Sequence, residues 1–76
     1  MNYRKNFSTV LHELRKNNNM SLQAVADVVG VTNQSISLLE QGKRSPSFEV
    51  LCTLADYFDV SLDYLVGRSD EPRRRR

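Results

Sequence analysis

Residues 21–42, SLQAVADVVGVTNQSISLLEQG, hold two apolar stripes of helical period on either side of a tripeptide that interrupts them, Gly30-Val31-Thr32. The first stripe sets Leu22, Val25, Ala26 and Val29 at i, i+3, i+4 and i+7, the spacing of one helix face. Ser21 and Thr32 stand where N-caps are needed, and Gly30 is the residue best able to take the positive φ that ends a helix. The second segment buries only Ile36 and Leu39 and turns Asn33, Gln34, Ser37 and Leu38 outward. A short helix that hides two side chains and displays amides is built to present its outer face.

The chain has 76 residues, enough for one domain and close to the lower limit at which an apolar core alone holds a fold. Cys52 is the single cysteine, so no internal disulfide forms; no apolar run is long enough to span a membrane, and the N-terminus lacks the apolar segment of a secretory signal. The expectation is a reduced, cytoplasmic protein. His12 is the single histidine, and with no Gly-rich phosphate loop the chain offers neither a metal-ligand set nor a nucleophile beside a base. No enzymatic activity, metal or cofactor is expected. The formal charge is +2, unevenly placed: residues 1–16 hold Arg4, Lys5, Arg15 and Lys16 against Glu13, whereas Glu49, Asp56, Asp59 and Asp63 make residues 49–63 wholly acidic.

The periodicity predicts five helices and no strand. The first covers residues 7–18, with Phe7, Val10, Leu11 and Leu14 inward and Asn19 as a left-handed end. After Lys43-Arg44-Ser45-Pro46, Ser47 caps a fourth whose Phe48, Leu51, Leu54, Ala55 and Phe58 share a broad face; Ser61 caps a short fifth that packs Leu62, Leu65 and Val66 before Gly67. Residues 68–76 end in Arg73-Arg74-Arg75-Arg76 and are too polar to bury; they read as a mobile tail or one that orders on binding. The arginines serve as a DNA arm, as a solubilising end, or are foreign to the native chain. The reading is an all-α, five-helix bundle over residues 1–67 with a flexible tail, and with no unit that senses a small ligand.

Residues 21–42, followed by Pro46 and by Val60-Ser61-Leu62-Asp63-Tyr64-Leu65, resemble the Cro and phage-repressor, or xenobiotic-response-element, class of helix-turn-helix proteins. The likeness covers residues 7–67. It implies a lambda-repressor-like bundle that binds operator DNA as a homodimer and represses transcription. It also implies that Asn33 and Gln34 open the recognition helix with Ser37 and Leu38 one turn on, and that Arg15 pairs with Glu40 to bridge the first and third helices. Leu38 departs from the glutamine or arginine common in the family; it can meet a thymine methyl but makes no bidentate hydrogen bond.

The residues themselves point the same way. A protruding helix after a sharp turn fits the major groove, and Asn33 and Gln34 each offer a donor and an acceptor to an adenine edge, where the alternative is a solvated surface amide. Gln23, Thr32 and Ser35, near helix N-termini, suit phosphate contacts or are merely caps. Lys43 and Arg44 follow the reading helix where the chain passes the sugar-phosphate backbone, the alternative being a solvated turn. Tyr57, Val60, Tyr64 and Val66 exceed what so small a domain buries, so they form a dimer contact or close the core. The rival to a DNA-binding regulator is a helix-turn-helix module that binds another protein.

Overall fold

Every helix begins and ends by the same two devices. Among residues 2–73, which the computed structural model describes, these are α1 (Tyr3–Asn17), α2 (Leu22–Val29), α3 (Asn33–Glu40), α4 (Phe48–Phe58) and α5 (Leu62–Leu65). At the starts, the side chains of Asn2, Ser21, Thr32, Ser47 and Ser61 accept from the backbone N–H groups of Lys5, Ala24, Ser35, Val50 and Tyr64 at 2.9–3.1 Å. Each bond satisfies an amide that the first turn would leave without a partner. At the ends, Asn19, Gly30, Gly42, Asp59 and Gly67 take φ between 54° and 79°. The N–H of the following residue then returns to a carbonyl in the last turn, as Val31 does to Ala26 at 3.1 Å and Val60 to Ala55 at 3.0 Å.

The shared ending explains a correction. Val60 is 5 % exposed and belongs to the core, so it drops out of the expected surface patch. A residue just past a left-handed helix end folds back over the last turn, and an apolar one packs there. Met20, after Asn19, and Val31, after Gly30, pack against the core in the same way.

All five elements feed one core: Phe7 and Leu11 from α1, Val25 and Ala26 from α2, Ile36 and Leu39 from α3, Leu54 and Ala55 from α4, and Leu65 from α5. Three sequence expectations shift. α1 starts at Tyr3, not residue 7, because the Asn2 cap opens a polar first turn that an apolar stripe does not reveal. Phe48 and Leu62, the first residues of α4 and α5, are 73 % and 43 % exposed. Each lies about 60° around its helix from the inward residue three positions on, at the margin of the packed face. Finally, residues 68–73 are not wholly free of the domain: the Ser61 N–H donates to the Pro72 carbonyl at 3.0 Å and Arg68 lies 3.6 Å from Asp63. Arg74, Arg75 and Arg76 lie outside the described residues.

Candidate nucleic-acid interface

α3 packs against α1 and α2 and shows its remaining side to solvent. Asn33, Gln34 and Gln41 are exposed, while Ser37 and Leu38 are half-buried, less open than the sequence predicts. Eight residues of helix around two buried ones leave Gln34, Ser37 and Gln41, at i, i+3 and i+7, in one outward row. Sequence reasoning missed Gln41, although that spacing was visible. Its Nε2 donates to Ser37 Oγ at 2.8 Å.

The residues proposed for phosphates are differently placed. Lys43 and Arg44 are exposed just past the left-handed Gly42. Arg44 and Ser35 line one cleft of about 200 Å³ floored by Val31, Leu39, Pro46 and Val50, which brings the start of α3 beside the loop that follows it. Thr32 Oγ1 accepts from the Ser35 N–H at 3.1 Å and lies 3.0 Å from the Ser35 hydroxyl, so these two side chains are already engaged with each other. Gln23 is exposed, and its Nε2 donates to Asp27 Oδ1 at 2.8 Å. One amide hydrogen is thus held by a carboxylate that would itself repel a phosphate.

Behind α3 sits a polar brace. Arg15 Nε donates to Glu40 Oε2 at 2.6 Å and Nη2 to Oε1 at 3.0 Å, a two-pronged pair, while Nη1 donates to the Met20 carbonyl at 3.0 Å. The two side chains are only 12 % and 8 % exposed, and the planar guanidinium matches the carboxylate edge. His12 Nδ1 lies 2.8 Å from Glu40 Oε1. A carboxylate oxygen only accepts, so Nδ1 carries the hydrogen and donates. The His12 side chain is half exposed, yet it is also the third member of this brace. The spacing of His12 and Arg15, i and i+3, was the available signal, since it puts both on one face.

Glu40 closes α3, where a negative charge meets the negative end of the helix dipole. Burial pushes the Glu40 carboxyl up, but the hydrogen bonds from Arg15 and His12, together with Arg15's charge, outweigh it and hold the pKa below its ordinary 4.5. The bond to Glu40 raises Arg15 above the ordinary arginine value, with burial opposing it. Both groups are charged near neutrality. Among the described residues no three His, Cys, Asp or Glu side chains gather as metal ligands, and no helix is long and apolar enough to cross a membrane.

Comparison with known proteins turns this geometry into a family. The model of a helix-turn-helix family, HTH_3, matches residues 11–65, from α1 through α5. The chain belongs to that family. It is 46 % identical over 61 residues to the HTH-type transcriptional regulator AnsR of Bacillus subtilis, covering 80 % of this chain and 53 % of AnsR. It is 38 % identical over 66 residues to the uncharacterized HTH-type transcriptional regulator YqaE of the same organism, covering 86 % and 57 %. The chain thus spans about half the length of these curated relatives. A transcriptional regulator from Listeria innocua superposes with TM-score 0.80 at 31 % identity over 86 % of this chain and 61 % of that one. The P22 c2 repressor, solved in complex with a synthetic operator, superposes with TM-score 0.77 at 28 % identity, over 83 % of this chain and 96 % of the repressor. The α2–turn–α3 unit of this chain lies within that helix-turn-helix match. These relatives carry names of regulators, not of enzymes.

Proposed function

We propose that this chain is a sequence-specific regulator of transcription, a small homodimeric repressor that sets α3 into the major groove of a pseudo-palindromic operator. The observation that carries the reading is the outward row of α3, amides at Asn33 and Gln34 with Ser37 and Leu38 beyond, backed by a buried bidentate ion pair and followed by exposed Lys43 and Arg44. Asn33 and Gln34 read base edges, Ser37 donates or accepts one bond, and Leu38 meets a thymine methyl. Lys43 and Arg44 fix the register on the backbone, with Gln23, Thr32 and Ser35 as further phosphate contacts.

Two copies of α3 on one face of a duplex stand about 34 Å apart. The dimer contact is the apolar surface at the α4–α5 end, where Tyr57 is 52 % and Leu62 43 % exposed beside half-buried Tyr64 and Val66. Selection of bound duplexes from a random pool tests the whole reading, and enriched sequences should carry two inverted half-sites one helical turn apart. Affinity should fall with salt along a straight line of log affinity against log concentration. Gln34→Ala should weaken the selected duplex about tenfold and leave random duplex nearly unchanged. Affinity that ignores salt, or no enriched duplex at all, would favour a module that binds protein.

A further inference from the structure

Gln41 lies at the end of the outward row, exposed and one turn beyond Ser37. Its backbone N–H donates to the Ser37 carbonyl at 3.0 Å and its side-chain Nε2 to Ser37 Oγ at 2.8 Å, so the two residues are joined twice. Gly42 then turns the chain away in a left-handed conformation, which makes Gln41 the last side chain of the row before the Lys43-Arg44 pair. The Ser37 hydroxyl accepts from Gln41 and donates to no group of its own chain among the described residues. A serine in a helix commonly spends its hydrogen on a carbonyl one turn back, as Ser8 does on Lys5 at 2.7 Å and Thr9 does at 3.1 Å. Ser37 does not.

From this geometry, and resting on the DNA-binding reading above, we infer that Gln41 is a specificity-determining residue. By occupying one of the two lone pairs of Ser37 Oγ, it halves the capacity of that hydroxyl to accept and biases it toward donating. Alone, a serine hydroxyl rotates to suit a donor or an acceptor and discriminates little. Held by Gln41, it keeps its hydrogen for an outside acceptor, with the second hydrogen of the Gln41 amide beside it. Two neighbouring donors complement a base edge that offers acceptors, which in the major groove is guanine with N7 and O6, and secondarily thymine with O4. They complement the amino group of cytosine less well, since one lone pair of Ser37 Oγ is all that is left to accept it. The Ser37–Gln41 unit therefore favours guanine or thymine at one position of each half-site, next to the positions read by Asn33 and Gln34.

The test compares duplexes selected from a random pool by the wild type and by Ser37→Ala, Gln41→Ala, the double variant and Gln41→Glu, each first shown by circular dichroism and melting to fold. The wild type should prefer guanine or thymine at one column of the half-site. Ser37→Ala and Gln41→Ala should each flatten that same column by about fivefold and leave the others intact, and the double variant should do no more than either single one. Gln41→Glu can only accept, so it draws the Ser37 hydrogen inward and leaves a lone pair facing the base; the column should move to cytosine. If Gln41→Ala weakens all sequences equally, Gln41 meets only the backbone and the inference falls while the function stands. It falls equally if Ser37→Ala changes the column and Gln41→Ala does not. A wild type that enriches no duplex overturns both.

Discussion

Glu40 is where a single side chain decides most. Its carboxylate is nearly buried, and three donors from Arg15 and His12 converge on it. Arg15→Ala would leave that charge without its main partner and should cost about 3 kcal/mol, measured by chemical denaturation. That is a large share of the order of 5 kcal/mol a chain of this size holds in reserve. The same site predicts acid sensitivity. Because folding lowers the Glu40 pKa, its contribution is complete above the ordinary 4.5 and is lost as pH falls through the lowered folded value. The stability difference between wild type and Glu40→Gln should therefore be level above pH 4.5 and shrink in more acidic buffer; a difference that grows there would contradict the pairing. Two glycines give a matched contrast. At Gly30, φ is +74° and a Cβ meets open space, whereas at Gly67, φ is +79° and a Cβ would come within 2.7 Å of Asn6 Cβ. Gly30→Ala should cost about 1 kcal/mol, the strain of a left-handed alanine alone, and Gly67→Ala distinctly more, as thermal melts would show.

For helices this short, ends outweigh propensity. α3 has eight residues, buries two of them and shows an outer face made of amides and hydroxyls, so its stability as a helix comes from Thr32 at one end, Gly42 at the other, and packing on α1 and α2. Thr32→Ala should cost about 1 kcal/mol by loss of the Ser35 N–H partner. It should also weaken DNA binding more than an equally destabilising change in α4, because fraying begins at Asn33 and Gln34; calorimetry paired with a DNA titration separates the two effects. Five helices were legible from Ser and Thr caps and from Asn and Gly ends, since those signals are local and each acts through hydrogen bonds within five or six residues. The start of α1 was not, because its first turn is polar. The exposure of Phe48 and Leu62 was not legible either: a stripe counts residues on a face but does not say how far the neighbouring element reaches along it.

α1 links the two ends of the molecule. Toward its C-terminus, His12 and Arg15 hold Glu40 of α3; toward its N-terminus, Asn6 lies against Gly67, just past α5. The nine helical steps from Asn6 to Arg15 rise about 14 Å, so α3 is anchored at one end of a stiff rod and the proposed dimer contact lies toward the other. Tyr57→Glu and Leu62→Glu, both at exposed positions, should shift sedimentation toward the monomer and lower operator affinity while leaving the melting of dilute protein nearly unchanged. A variant that stays dimeric would move the interface elsewhere. Helix number, the Ser and Thr caps, the turn residues, most of the core stripe and the amide-bearing face of α3 were present in the chain as written, because periodicity and capping are short-range physics. The inward turn of Val60, the third contact that His12 makes to Glu40, and the commitment of Gln23 to Asp27 and of Ser37 to Gln41 were not. The first two depend on how the helices pack against one another. The last two depend on which of several available partners a polar side chain takes within one turn, and spacing leaves that choice open until the surrounding surface has been folded around it.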